Sequence, residues 1–383
     1  MTRVLVNLLW LVPGVVGGSE ESTTDALRGI GESIASGEAA DLDVQLAVLE
    51  QFASAHPDLA EHFDLHVLDQ DGSDKRRRVL AEQTWLPGVT RSLGADVVHH
   101  AGGVLPLRHP ASTVLTVHDL QPLDMPENFR AAKRAYIRAM AGRSCRSADV
   151  VSVPSEFTRE RVVELLGVSP ERVEVAPWWV APPDSVTAED RFPLPQQLDG
   201  DPFILYPAIT YPHKRHIVLL DAFALVARQH PDLRLVLTGA AAAAEAAVAA
   251  RMSRADLAGR VLRTGRVPSG QLESLFAAAT AVAVPSCYEG FGLPVLEAMV
   301  RGVPVIAADA GSLPEVARAE DLVAPEDVTA WASALEAVVA EDPAARTARI
   351  EAGYDQADRF SPGRTATALI GSYRRAADDR RVP

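Results

Sequence analysis

The sequence predicts an α/β fold made of two Rossmann-like, doubly wound parallel-sheet domains facing each other across a cleft. Three observations carry this. Short apolar, β-branched runs alternate with helical patterns from end to end; a proline- and acid-rich stretch interrupts the alternation once; and the same rhythm then restarts. Strand–helix–strand alternation calls for a parallel sheet covered on both faces. Two such units in tandem offer ligands the crevice at their strand ends. A chain of 383 residues is long enough for both, at roughly 100–200 residues per domain.

In chain order, the first half holds strand candidates at Val4–Trp10, Val44–Leu49, Leu65–Leu68, Val97–His100, Thr113–His118, Val150–Val153 and Val173–Ala176. Helical patterns lie between them, as at Asn128–Cys145 and Glu156–Leu166. Ala181–Pro202 contains Pro182, Pro183, Pro193, Pro195 and Pro202 with several acids and no apolar periodicity, and reads as a linker. Strands are expected again at Phe203–Tyr206, Leu233–Thr238, Val261–Val267, Ala281–Pro285 and Val303–Ala307. The intervening helices are expected at Ile217–Arg228, Ala240–Leu257, Gln271–Ala279 and Pro294–Arg301. The alanine run Ala240–Ala244 is assigned to a helix because alanine is the best helix former. Two or three helices follow from Thr329 to about Asp379. The expected domains are residues 1–196 and 197–360, with a terminal helix in 361–383 packing back on the first.

Composition narrows the function. A net charge of −14 argues against a nucleic-acid partner, whose phosphates the surface would repel. The two cysteines, Cys145 and Cys287, have neither disulfide-framework nor metal-ligand spacing, which suits a reducing cytoplasm. The apolar segment Leu5–Gly18 contains Asn7 and a Pro13-Gly14 break, so it reads as a buried strand and loop, not a signal peptide. No other segment approaches the roughly 20 apolar residues of a membrane-spanning helix. Two basic stretches oppose the overall charge: Lys75–Arg78, and Arg130, Lys133, Arg134, Arg138, Arg143 and Arg146. They read as solvated helix faces, with an anionic acceptor or lipid surface as the alternative; peripheral membrane contact is not otherwise indicated. Only three lysines occur against 34 arginines, so Lys214, within a chemically suggestive loop, stands out.

The strongest chemical signal is Glu289-Gly-Phe-Gly-Leu-Pro-Val-Leu-Glu297, directly after a strand. Gly290 and Gly292 let backbone amides approach a ligand without an intervening Cβ. Pro294 suits the first turn of a helix, whose amide-rich start attracts anions such as a diphosphate. Glu297 falls one turn into that helix, where its carboxylate can accept hydrogen bonds from vicinal hydroxyls; Glu289 precedes the loop and can reach hydroxyls at the other end of a ligand.

This run, with Ala298-Met299, Gly302-Val-Pro-Val305 and Gly311-Ser-Leu-Pro-Glu-Val316, resembles the retaining family-4 glycosyltransferases of the GT-B fold, in particular bacterial, mannosyltransferase-like members. The resemblance is dense from Phe203 to Val323 and thin in the first half. It implies a nucleotide-sugar donor on residues 197–360, a hydroxyl-bearing acceptor on residues 1–196, and no cofactor or metal. Donor contacts implied by similarity are Gly290, Phe291, Gly292, Leu293, Glu297 and the backbone at Val267. Tyr211-Pro-His-Lys214 resembles the family's phosphate-binding lysine, which would neutralise charge building on the leaving diphosphate. Gly17 and Gly18 resemble its glycine loop, with amides facing the donor phosphate. Thr116-Val-His118-Asp119 resembles a His-Asp run in which His118 would touch donor sugar or acceptor hydroxyl. There is one departure. Many members carry an arginine five or six residues before the lysine, where this chain has Ala208 and Ile209; Arg215 stands where asparagine is common.

The expected reaction is transfer of a hexose or deoxyhexose with retention, catalysed through Lys214, Glu289 and His118, with the leaving phosphate deprotonating the incoming hydroxyl. Three alternatives stand beside it. The pairs Asp41-Leu-Asp43 and Asp69-Gln-Asp71 are of the kind that holds a divalent ion in metal-dependent transferases. A nucleotide-sugar epimerase would keep the fold and change the reaction. A catalytically silent nucleotide-sugar binder would explain the missing arginine.

Overall fold

A computed structural model of the chain describes residues 1–15, 17–70, 72–128, 131–182, 192–198 and 200–379, without the side chains at 128, 131–133 and 136. Asp71, Arg130, the Lys133 side chain and most of the proline-rich stretch therefore lie outside the described residues.

The chain forms two compact units, one of Met1–Trp179 with Phe360–Pro383, the other of Val180–Arg359. The first contains β1 (Thr2–Asn7), β2 (Leu42–Leu49), β3 (Asp64–Leu68), β4 (Val97–His100), β5 (Ser112–Thr116), β6 (Val150–Val153) and β7 (Val173–Val175). They form one parallel sheet in the order β3-β2-β1-β4-β5-β6-β7. The second unit contains β8 (Phe203–Pro207), β9 (Arg234–Thr238), β10 (Val261–Gly265), β11 (Ala281–Val284), β12 (Val305–Ala308) and β13 (Leu322–Val323). Its sheet is also entirely parallel, in the order β10-β9-β8-β11-β12-β13. The central strands are apolar on both faces, as in Ala281–Val284, because helices cover both sides.

Strand order fixes where chemistry can happen. In each sheet the winding direction reverses once, between β1 and β4 and between β8 and β11. At such a switch point, neighbouring loops leave the carboxyl ends of the strands in opposite directions and open a crevice. The loops after β8 and β11 carry Lys214 and Glu289.

Three helices close the chain, Val328–Val339, Pro343–Ala357 and Pro362–Asp379. The last joins the core of the first unit: Ala366, Leu369, Ile370 and Tyr373 cluster with Val4, Val6, Leu27 and Ile30. The Tyr373 hydroxyl also lies 2.9 Å from His99 Nδ1. One helical expectation shifts. The helix after β9 spans Glu245–Met252, so the run Ala240–Ala244 is a loop. Buried Thr210 pins that loop, its Oγ1 accepting from the Ala242 amide at 2.8 Å and its carbonyl from the Ala244 amide at 2.8 Å. The pattern expected at Asn128–Cys145 holds the helix Ala131–Ser147. No helix among the described residues is long and apolar enough to cross a membrane.

Candidate active site

In the second unit, β8 ends at Pro207 and a short 3-10 turn, Pro212–Lys214, delivers Lys214 at its last position. The Lys214 ammonium donates to Glu289 Oε1 at 2.5 Å, with both side chains mostly buried (17% and 13% exposed). Each loop is clamped from behind. Fully buried Tyr206 donates its hydroxyl to the Lys214 carbonyl at 2.8 Å and lies 3.0 Å from Ser286 Oγ. The Cys287 amide donates to the His213 carbonyl at 2.9 Å. Ser312 Oγ donates to the Glu289 carbonyl at 2.9 Å, and Gly311 packs so closely that an added Cβ would come within 3.0 Å of the Glu289 amide. The Gly311-Ser312 pair thus has a physical reason: it is the floor beneath Glu289.

Gly292 caps the helix Leu293–Val300 with φ of 107°, a conformation side chains resist, and an added Cβ would meet Leu313 Cδ2 at 2.7 Å. Pro294 occupies the first turn, where its missing N–H costs nothing. Phe291 is buried, Gly290 and Leu293 half-buried. Glu297 is half-buried one turn into the helix, its carbonyl accepting from Arg301 Nη1 at 2.9 Å. Val267 is half-buried just past β10. Gly239, at the end of β9, lies against the Ala208 backbone, where an added Cβ would meet the Ala208 carbonyl at 2.5 Å.

The local charges are sorted by burial. Desolvation, with repulsion from Lys214 next, pulls the His213 imidazole down to about 4, and burial does the same to His216. Both are neutral at pH 7. Burial, then the Glu289 charge, pushes the Tyr206 phenol well above its ordinary value, so it stays a donor. Arg215 is the one described non-glycine residue with positive φ, at 50°. Glycine and asparagine tolerate that left-handed conformation better than arginine does. Here the Arg215 guanidinium pairs with Glu326 at 2.7 Å.

In the first unit, the loop after β1 contains Gly14 and Gly17, with φ of 71° and 65°; Gly17 caps the helix that Gly18 begins. The Gly14 amide donates to Glu20 Oε2 at 2.7 Å, and Glu20 Oε1 lies 3.0 Å from His56 Nε2. A carboxylate of the chain itself therefore occupies one amide of this loop. His118, two residues past β5, donates from Nε2 to the Ala101 carbonyl at 2.8 Å, which leaves Nδ1 as a buried acceptor without a partner in the protein. Burial depresses its pKa to about 4. Its ring sits between Trp10 and Trp178, at centroid distances of 5.3 and 5.5 Å. These tryptophans escaped the sequence reading. Their rarity and their positions just past β1 and β7 were the available signal.

Asp41 and Asp43 flank the amino end of β2, opposite the switch-point ends. Asp41 pairs with Arg374 at 2.6 Å and Asp43 with Arg3 at 2.7 Å. Asp71 of the other pair is outside the described residues. In the second basic stretch, Arg143 donates to the Leu105 and Pro106 carbonyls, so its charge serves loop structure.

Two fully parallel, doubly wound sheets with loop-borne polar groups at a switch point define the GT-B class of α/β proteins. Residues 36–182 match the family model "Glycosyltransferase Family 4" and residues 189–356 match "Glycosyl transferases group 1". The O-antigen chain mannosyltransferase B of Escherichia coli is 30% identical over 285 residues, covering 73% of this chain and 74% of that protein. A D-inositol 3-phosphate glycosyltransferase of Stackebrandtia nassauensis is 32% identical over 335 residues, covering 80% and 71%. The chain belongs to the family-4 glycosyltransferases and is a glycosyltransferase. Among solved structures, Anabaena HepE in complex with UDP and glucose shares the fold at TM-score 0.69 with 19% identity, covering 97% of this chain and 99% of that one. WaaG, a glycosyltransferase of lipopolysaccharide biosynthesis, shares it at 0.65 with 15% identity, covering 98% and 99%.

Proposed function

We propose that the chain transfers a hexosyl or deoxyhexosyl group from a nucleotide-sugar to a hydroxyl acceptor, with retention and without a metal ion. The observation that carries this is the Lys214–Glu289 pair at the β8/β11 switch point, beside the Gly292-capped helix. Lys214 supplies a cation for the departing diphosphate, and the amides at Gly290–Leu293 supply neutral donors; both act where negative charge grows as the glycosidic bond lengthens. Glu289 and Glu297 accept from hydroxyls of sugar and ribose. Val267 carries the base.

His118 suits orientation better than proton abstraction. A pKa near 4 makes its Nδ1 a weak base but a competent hydrogen-bond acceptor for an incoming hydroxyl. The leaving phosphate oxygen then takes the proton, as a same-face displacement requires. The first unit is the acceptor side, and the cytoplasm, where nucleotide-sugars are made, the expected site of action. Proton NMR of the product tests the stereochemistry: the anomeric coupling must match that of the donor sugar, and an inverted product refutes retention. Transfer must also survive excess chelator; its loss would restore the metal-dependent alternative.

A further inference from the structure

We propose that the acceptor is itself a glycoside, its sugar ring held by Trp10 and Trp178 beside His118; this rests on the transferase reading above. Trp10 is fixed in place. Its carbonyl accepts from Arg78 Nη1 at 2.6 Å, and its ring lies on Gly102, where an added Cβ would come within 2.5 Å of Trp10 Cγ. Trp10, His118 and Trp178 are only half-buried, and the His118 ring packs against both indoles at interplanar angles of 46° and 54°. Indole faces match the C–H patches of a pyranose.

Two polar atoms of these rings are unsatisfied, one donor and one acceptor. Trp10 Nε1 is a buried donor and His118 Nδ1 a buried acceptor, with no partner in the protein. Leaving such groups unpaired is costly, so a ligand that both gives and takes hydrogen bonds is favoured there. A sugar has hydroxyls that do both around an apolar ring. A fatty alcohol has a hydroxyl but no pyranose face to lay on the indoles. Against His118 and Trp178 lies a cavity of about 30 Å³, lined also by Thr116, Thr365 and Tyr373 among others. That space admits one exocyclic group and not a ring, so the sugar lies over the tryptophans with a single substituent pointing inward.

The test offers UDP-glucose and GDP-mannose with methyl α-mannopyranoside, methyl β-glucopyranoside, 1-octanol or glycerol 3-phosphate, and measures product by mass. Glycosides are expected to be glycosylated, and the other two not. Trp178→Ala is expected to raise the glycoside KM at least tenfold while leaving the Kd for nucleoside diphosphate unchanged, and Trp178→Phe to recover most of the loss. An unchanged glycoside KM in Trp178→Ala overturns the proposal. So does acceptance of octanol or glycerol 3-phosphate in place of glycosides, or hydrolysis of the donor with glycosides ignored. A parent chain that binds neither UDP nor GDP overturns the transferase reading and this proposal with it.

Discussion

Replacing Glu289 by glutamine is expected to tighten nucleoside diphosphate binding while depressing transfer, and replacing Lys214 by methionine to weaken both. The opposite signs follow from the geometry. Lys214 and Glu289 are paired at 2.5 Å with little exposure, so an entering diphosphate competes with a carboxylate already on the lysine. Two unit charges about 4 Å apart attract by about 4 kcal/mol at an effective dielectric near 20. Desolvation and side-chain ordering cancel much of that, leaving a net coupling of about 1–3 kcal/mol for a pair this sheltered. Releasing 1–2 kcal/mol of it in Glu289→Gln lowers Kd by roughly 5- to 30-fold. Lys214→Met removes charge-assisted bonds to the phosphates worth about 2–3 kcal/mol, raising Kd by roughly 30- to 150-fold. Isothermal titration with UDP and GDP on both variants and the double variant reads these numbers, with thermal midpoints as a control for folding. Equal weakening by both substitutions, or unchanged binding in Lys214→Met, would refute the assignment of Lys214 as the diphosphate cation.

Three further outcomes follow from the same coordinates. Gly292→Ala forces a side chain into φ of 107° against Leu313, so it should cost about 1–3 kcal/mol in urea unfolding of the second unit, and a neutral effect would contradict the cap geometry. Burial holds the imidazoles of His118, His213 and His216 at about 4 and those of His99 and His100 at about 3, below the unfolded value of 6.5. The unfolded chain therefore binds protons that the folded one refuses: the stability these groups confer is complete above pH 6.5 and drains as pH falls toward 4, by up to about 1.4 kcal/mol per pH unit for each. Thermal midpoints that stay flat from pH 7 to pH 5 would contradict that burial. Arg215→Gly relieves left-handed backbone strain of about 1–2 kcal/mol and gives up a partly exposed ion pair worth under about 1 kcal/mol, so its thermal midpoint should hold or rise, and a fall of several degrees would show that the guanidinium does more.

Much of the candidate site was legible because its residues are stereochemically narrow. Gly292 needs positive φ, Pro294 fits only a first turn, and Gly311 permits contact with Glu289; each leaves a mark in sequence. Strand order was legible only as alternation, since switch points depend on which strands pair. What stayed hidden depends on partners far along the chain. Alanine's propensity favoured a helix at Ala240–Ala244, but Thr210, some 30 residues earlier, satisfies those amides as a loop. The glycine loop looked like an open anion site, and Glu20 already holds its Gly14 amide. His118 was found by its motif, but its neutrality and its flanking tryptophans come from β1, β4 and β7 meeting around it. Pro87 lies inside the helix Lys75–Leu93, a position that sequence alone would mark as a break.

The most direct measurement is a crystal structure of the chain with the tighter-binding nucleoside diphosphate. Diphosphate density is expected within hydrogen-bonding reach of Lys214 Nζ and the Gly290–Leu293 amides, with the ribose hydroxyls on Glu297 and the Glu289 carboxylate drawn off the lysine. A nucleotide bound elsewhere, with the Lys214–Glu289 pair intact, would contradict it.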